Sequence, residues 1–262
     1  MSVLSWDEDG ERLFETGVDH VVLYPMKDDG SYEEGIAWNG VTGVTESPEG
    51  ADANDIYADN IKYLSLISKE DWKGTIKAYT YPDAFNECMG HYTKLTSSGT
   101  SAIRAFFGQQ KRKKFALSWR TRLGNDAVGD SFAYKIHLAW GLSAAPSEMD
   151  HATQNDSPEA QEFSWEITSI PPQTAAKIHT NGSSSTSTSD YKSLKACSHV
   201  YVASKILTST GVLVDNSTAI QALETHLYGS EGTATSNTAQ IPTLEDMVLH
   251  YATGDYPDNL AE

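Results

Sequence analysis

Five carboxylates lie in the stretch from Thr45 to Leu66, and carboxylates in such numbers can bind a metal ion. They are Glu46, Glu49, Asp52, Asp55 and Asp59. Around Asp52 the spacing begins to resemble a calcium loop, but Ile56 occupies the next ligand position, and the required glycine and closing glutamate are missing. A flexible lid and a surface that contacts another subunit are the other two interpretations of this stretch.

The remaining motifs that could carry chemistry are incomplete. Residues 27–35 form a second partial metal loop, which a polar turn after a strand explains better. The eight histidines form no HExxH, and the sequence holds no GxSxG nucleophile turn and no glycine-rich phosphate loop. Cys88 and Cys197 belong to no CxxC motif and are expected to be unpaired thiols. The sequence therefore predicts no enzyme, no catalytic residue, no cofactor and no metal ion.

Charge is distributed unevenly along the chain. The formal net charge of −17 disfavours non-specific binding to nucleic acid, because phosphates would be repelled. Residues 104–122 are an exception to this negative charge, because they include basic residues and no acidic ones. Their basic residues are Arg104, Lys111, Arg112, Lys113, Lys114, Arg120 and Arg122. A DNA-contacting patch is one interpretation; a solvated face, or a face that meets the acidic surface of a neighbouring copy, is the favoured one.

The elements that must position these residues are mostly β-strands. Alternating apolar residues on both sides of a Gly/Asn/Asp-rich connection predict an antiparallel hairpin over residues 115–140, with one solvated face that includes Lys135 and His137. Shorter strands are predicted near residues 21–23, 36–44, 76–80, 163–167 and 198–207. Short strands separated by Gly/Pro/Asp turns are typical of an all-β sandwich or barrel.

Two short helices are predicted towards the end of the chain. Residues 217–229 have apolar residues at helical spacing, a Ser/Thr N-cap and a glycine stop, and a second helix is predicted after Thr243. A third and weaker helical pattern covers residues 68–74. The Ser/Thr-rich stretch 180–190 is predicted to be a flexible surface loop inside a single domain that spans residues 1–262.

Targeting and membrane signals are missing from the sequence. No run approaches the roughly 18 apolar residues that a membrane helix needs, so membrane insertion is not expected. The N-terminal sequence MSVLSWDEDG is acidic and polar, unlike a signal or transit peptide. Synthesis and folding in a cytoplasm are therefore expected.

Three short motifs in the first third of the chain carry a family resemblance. They are Thr-Glu-Ser-Pro-x-Gly at residues 45–50, Tyr-Ala-Asp-Asn at 57–60 and Ala-Tyr-Thr-Tyr-Pro at 78–82. Further blocks follow in the same order over most of the chain, including FALSWRTRLGNDAVGDSFAYKIHLAWG and ALETHLYGSEG. Together they resemble the major tail proteins of long, non-contractile-tailed bacteriophages (siphophages) that infect Gram-positive bacteria.

This resemblance implies a mainly β, tail-tube-like sandwich or barrel with a long early loop and one or two short flanking helices. Six copies would form a ring, and stacked rings would form the hollow tail tube through which genomic DNA enters the host. The early loop would lie near residues 45–66 and reach another copy in the adjacent ring. The subunit would be assembled in the host cytoplasm and end in the virion, with tape measure, tail tip and terminator proteins as further partners.

The resemblance also suggests which side chains would make contacts between copies. The candidates in the loop are Glu46, Glu49, Asp52, Asp55, Tyr57, Asp59 and Tyr63. The candidates of opposite charge are the seven basic residues from Arg104 to Arg122, and opposite charges on different surfaces would favour correct docking. Acidic residues elsewhere would line a channel that repels DNA and lets it slide.

Two other classes of protein stay open at this stage. A carbohydrate-binding or adhesive β-module of a phage tail tip would use some of the 6 tryptophans and 13 tyrosines to stack on sugars. A hydrolase would need a suitably spaced carboxylate pair, but 36 acidic residues produce such pairs by chance.

Overall fold

The computed structural model describes residues 9–95, 104–145, 148–149, 153, 160–172, 177–179, 191–193, 196–207, 213–230 and 238–247. Within these residues the protein is mainly β, as predicted, and its strands pair in antiparallel sheets. The described strands do not close into a barrel. The Ser/Thr-rich stretch predicted to be a loop, residues 180–190, lies outside the described residues.

The strands of the first half are β1 (Leu13–Pro25), β2 (Ile36–Ala37), β3 (Val41–Glu46), β4 (Glu49–Gly50), β5 (Ala53–Ala58), β6 (Ile61–Ile67), β7 (Glu70–Asp71), β8 (Lys73–Ala78), β9 (Tyr92–Leu95), β10 (Arg104–Phe107) and β11 (Phe115–Asn125). Those of the second half are β12 (Gly129–Ala144), β13 (Phe163–Ser169), β14 (Lys177–His179), β15 (Tyr191–Ser193), β16 (His199–Ala203), β17 (Lys205–Leu207) and β18 (Leu213–Asp215). The helices are α1 (Phe85–Met89), α2 (Ser217–Tyr228) and α3 (Leu244–Asp246).

The largest sheet has the strand order β2-β1-β11-β12-β13-β8-β3, and β16 also pairs with β12. Strand β12 is long enough to pair with β11 on one edge and with both β16 and β13 on the other. Side chains from β1, β8, β11, β12 and β13 meet in one core, so the sheet curls over itself. This curl brings the end of β3 back beside β12 and β16.

The central hairpin β11–β12 is confirmed, but the prediction that it has one solvated face is wrong. Trp119 pairs with His137, and Ser118 pairs with Leu138. Because paired residues share a face, the apolar residues of the two strands point to opposite sides of the sheet. Both sides are covered, and His137 is only 7% exposed.

Two cores cover the two sides of the sheet. The core inside the curl includes Leu23, Ile76, Phe85, Leu117, Trp119 and Trp165. The core on the outer side includes Tyr24, Ile136, Leu138, Trp140, Leu223 and Leu227. Two buried polar groups of the outer core bond to backbone: the Tyr24 hydroxyl donates to the Leu227 carbonyl at 2.8 Å, and Trp140 Nε1 donates to the Pro242 carbonyl at 2.9 Å.

Helices α2 and α3 cover the outer core and confirm part of the sequence prediction. The predicted stripe of α2 is buried, and the helix ends at Gly229, but Asn216 occupies the N-cap position instead of Ser217 or Thr218. Helix α3 begins with a capping box in which the Thr243 hydroxyl accepts from the Asp246 amide.

Two helix assignments differ from the sequence prediction. The helix predicted over residues 68–74 is wrong, because Glu70 and Asp71 form strand β7 and pair with β4. Helix α1 was not predicted; its five residues are too few for a helical period to be recognised.

The predicted loop near residues 45–66 has regular structure of its own. Strand β4 pairs with β7 and β5 pairs with β6, so residues 49–71 form a two-stranded ribbon that extends the β3–β8 pair beyond the sheet. Asp59 and Asn60 both have positive φ angles, of 51° and 64°, and form a two-residue turn at the tip. Such a turn matches the right-handed twist of the two strands that it joins.

Candidate assembly interface and the histidine cluster at its root

The ribbon (residues 49–71) is the most exposed part of the described structure that carries large apolar side chains. From Thr45 to Asp71 every residue except Asp55 is exposed. Tyr57 and Tyr63 are each 68% exposed, and Ile67 is 72% exposed. Exposed apolar side chains that lie side by side are typical of surfaces that bind a partner.

The two faces of the ribbon differ in polarity. The register pairs Ile56 with Leu64 and Asn54 with Leu66, so these residues lie on one face, which continues at the tip with Ile61. The opposite face carries an ionic group: the Asp55 carboxylate lies 2.7 Å from Lys62 Nζ and accepts a hydrogen bond of 2.6 Å from Ser65. Tyr57 and Ile67 also lie on this second face, so the first face is mainly apolar and the second mixes charged and apolar side chains.

The acidic candidates of the ribbon do not act as one group. Asp55 pairs with Lys62, and Glu49 pairs with Lys73 at the base of the ribbon. Asp52 is exposed, and Asp59 is part of the turn at the tip. Four of the five predicted carboxylates therefore lie along the ribbon at solvent-accessible positions.

Glu46, the fifth carboxylate, lies at the ribbon root, which we define as Glu46 and Trp72, and its side chain, 34% exposed, contacts the sheet body. Its Oε2 atom accepts a hydrogen bond of 3.2 Å from Trp72 Nε1 and lies 3.3 Å from His199 Nδ1. Its Oε1 atom lies 3.5 Å from His137 Nδ1. Burial alone would raise the pKa of Glu46, but the hydrogen bonds and charges of the two histidines and the bond from Trp72 lower it.

The histidines at the ribbon root form a layered cluster with a tryptophan. The rings of His137 and His199 are nearly parallel to Trp119, with ring centroids 5.1 and 5.5 Å away, respectively. His137 Nδ1 lies 3.2 Å from His199 Nε2. Burial lowers the pKa of His199, since a charged imidazole loses hydration there, and the neutral ring is a metal ligand.

The basic candidates fall into two groups. Lys113 lies 2.6 Å from Glu33, Arg122 lies 3.2 Å from Asp19, and Arg120 bonds both oxygens of Asp19 at 2.7 and 3.2 Å. These three side chains are engaged within their own subunit.

The other basic candidates are available at the surface or lie beyond the described side chains. Lys111, Arg112 and Lys114 are exposed and line a shallow depression beside Tyr92. The backbone of Arg104 lies in β10, and its side chain is outside the described part of the chain.

Asp19 is a carboxyl whose acidity is strongly changed by its neighbours. Burial would raise its pKa, but hydrogen bonds from Arg120, His20 and Arg122 outweigh burial and lower the pKa to about 2. Arg120 also lies 3.5 Å from Glu224 of α2, so this ionic group joins β1, β11 and the helix. No sequence motif reveals the group, because the partners are about a hundred residues apart.

Burial raises the pKa of both cysteine thiols. Both cysteines are free, and burial raises the pKa of Cys88 to about 12, so its thiol stays protonated at neutral pH. Among the helices in the described ranges, none is long and apolar enough to span a membrane.

Comparisons with known proteins do not assign the chain to a family. No family model matches it, and no curated protein matches it significantly. The fold and the surfaces described above therefore have to carry any functional proposal.

Proposed function

We propose that the protein is a structural subunit of a siphophage virion, which assembles into hexameric rings that stack into the hollow tail tube for genome passage. The observation that carries this proposal is the apolar face of the ribbon. Ile56, Leu64 and Leu66 have exposed fractions of 39%, 36% and 54% on a two-stranded element that pairs with no other described strand. Two isolated strands are marginally stable in water, so a ribbon of this kind is best explained by a partner that covers it.

A second copy of the same chain is the partner that the charges favour. The ribbon carries Glu49, Asp52 and Asp59 at exposed positions, and the basic side chains of residues 111, 112 and 114 belong to a different surface. Contacts between two different surfaces of identical subunits generate rings or continuous stacks, depending on whether the rotation closes. Complementary charge on the two surfaces favours the correct register of docking.

The net charge of −17 is compatible with a tube that conducts DNA without binding it. In this proposal the chain has no catalytic role, is assembled in the bacterial cytoplasm and resides in the phage tail. Its further partners are the tape measure, tail tip and terminator proteins of the same virion.

Electron microscopy and light scattering of the concentrated protein test the proposal. The wild type is compared with Ile61→Ser/Leu64→Ser/Leu66→Ser, which removes apolar surface from the ribbon, and with Val128→Ser/Ile170→Ser, which removes exposed apolar surface elsewhere. We expect rings or tubes from the wild type and the control, and dispersed subunits with an unchanged circular dichroism spectrum from the ribbon variant. Assembly that is equally efficient in all three proteins would contradict the proposed role of the ribbon.

An adhesive or carbohydrate-binding module is the second candidate, and less supports it. Trp38, Trp119, Trp140 and Trp165 are buried in the two cores and cannot stack on a sugar. Exposed tyrosines, among them Tyr79 and Tyr92, are aromatic surface that remains available. A wild type that stays monomeric at high concentration and binds immobilised glycans would replace the tail-tube proposal with this one.

A further inference from the structure

We propose that Glu46, His137 and His199 bind one divalent transition-metal ion, zinc in preference, at the ribbon root. These residues lie on β3, β12 and β16, and the curl of the sheet brings them together. One donor atom from each residue can be chosen so that all three lie within 4.8 Å of one another. This inference does not depend on the tail-tube proposal, because the ligands belong to a single subunit.

The distances are close to those of a zinc site. Zinc bonds to histidine nitrogen are about 2.0–2.1 Å long, so two ligand atoms of a tetrahedral site are about 3.3–3.4 Å apart. His137 Nδ1 shares a hydrogen bond of 3.2 Å with His199 Nε2 and lies 3.5 Å from Glu46 Oε1, so a metal ion would take the place of the shared proton. The three donor atoms lie within 4.8 Å of one another, and the Glu46 side chain is 34% exposed, so it has room to move closer to the two histidines. The same exposure lets water take the fourth position.

The groups around the ligands are those expected of an outer shell. Histidine ligands usually donate their second nitrogen to a carboxylate or another acceptor, which fixes the ring. His137 Nε2 lies 3.1 Å from the Thr121 hydroxyl and 3.7 Å from Glu15 Oε1. The Glu46 carboxylate, a ligand in this proposal, accepts a hydrogen bond from Trp72 Nε1 that helps to orient it. Two imidazoles and one carboxylate form a donor set that suits zinc.

The position of the site gives the metal a structural effect. Glu46 is the last residue of β3, and Trp72 lies between β7 and β8, so both strands of the ribbon enter the body at this point. The Trp72 ring centroid also lies 5.8 Å from that of His199. A metal ion bound here ties the ribbon root to β12 and β16 and fixes the direction in which the ribbon leaves the sheet.

Titration of the tag-free, chelator-treated full chain with zinc chloride, followed by calorimetry, tests this inference. We expect one equivalent of zinc per chain and a higher Tm, because the ion binds the folded state. His199→Ala and Glu46→Gln each weaken binding by at least about tenfold, since even the loss of an outer partner of a ligand typically costs 10–100-fold. His226→Gln, which changes a histidine on α2, leaves binding unchanged.

Cobalt(II) provides a second measurement of the same site, because four-coordinate cobalt absorbs visible light far more strongly than the hydrated ion. The wild type is expected to give this absorption and Glu46→Gln to lose it. Glu46→Gln keeps the shape of the side chain, so it decides the question even where His199→Ala fails to fold. A folded wild type without saturable zinc binding, or equal affinity in the wild type and Glu46→Gln, overturns the inference.

Discussion

The ribbon and the sheet body both contain large apolar residues, which are buried in the body and exposed in the ribbon. Ile76 on β8 is fully buried, whereas Ile67 on β6, nine residues earlier along the same continuous hairpin, is 72% exposed. The body covers both faces of its strands with two cores, but among the described strands the ribbon pairs only with itself. The difference supports the proposal that another copy covers the ribbon.

The matched isoleucines test this comparison with the largest expected effect. Ile76→Ala leaves a cavity in the core inside the curl and should lower the free energy of unfolding by about 2–5 kcal/mol. Ile67→Ala removes the same atoms from an exposed position and should change it by less than about 0.5 kcal/mol. Urea denaturation of the unassembled subunit measures both. Similar losses in the two variants would show that the ribbon is packed against its own subunit.

A glycine substitution at the base of the ribbon should loosen the ribbon and spare the body. Gly50 has a φ angle of +99°, and a Cβ atom there would collide with the Lys69 carbonyl oxygen. Gly50→Val should therefore cost about 1–3 kcal/mol locally.

We expect hydrogen exchange at the Ala51 and Ser68 amides, which bond across the ribbon, to accelerate about fivefold to a hundredfold, as 1.4 kcal/mol corresponds to tenfold. Gly43→Val is the matched control, because a Cβ atom on Gly43 would meet no described atom within 4 Å and the φ angle there is not positive. Equal acceleration in both variants would contradict the expectation.

The ionic group around Asp19 belongs to the sheet body. Its loss at low pH should change the free energy of unfolding by less than the substitutions above. The Asp19 carboxyl has a pKa of about 2 in the folded protein, against an ordinary value of 3.8. Its stabilising effect is therefore complete above pH 3.8 and is lost as the pH falls through about 2. Solvent screens this partly exposed group, so we expect it to contribute about 1 kcal/mol.

Comparison of the wild type with Asp19→Asn isolates that contribution from other titrating groups. Arg120, Arg122, His20 and Glu224 face the group from the neighbouring elements and are unchanged in the variant. The stability difference measured by urea denaturation should shrink as the pH falls from about 3.8 to about 2. A difference that is independent of pH would exclude Asp19 as its source.

The corresponding ion pair of the ribbon should have the smallest effect. Lys62 Nζ lies 2.7 Å from Asp55 on a face that is open to water. Exposed ion pairs often contribute nothing measurable, so Lys62→Ala should leave the Tm of the unassembled subunit unchanged. Differential scanning calorimetry at low salt checks this, and a lower Tm would indicate that the ribbon is more rigid than its exposure suggests.

Much of the fold could be predicted from local patterns. The hairpin β11–β12 followed from alternating residues around a turn, and α2 followed from the spacing of Ile220, Leu223 and Leu227. The solvated face was predicted wrongly because strand register, which pairs Trp119 with His137, is not encoded in either strand alone. The strand at residues 70–71 is likewise fixed by its partner β4 and not by its own residues.

The candidate sites could likewise be predicted only where their residues lie close together in the sequence. The exposed acids of the ribbon lie close together in sequence, so their position could be anticipated. Glu46, His137 and His199 are separated by 91 and 62 positions and meet only because the sheet curls, so no spacing motif could reveal them. The partners of Arg120 were hidden for the same reason.

Hydrogen exchange measured by mass spectrometry, in assembled particles and in dissociated subunits, tests most directly whether the ribbon is completed by another copy. The account predicts that peptides from β5 and β6 gain strong protection on assembly, while peptides from α2, already packed on the outer core, change little. Assembled particles in which the ribbon peptides exchange as fast as in free subunits would contradict it.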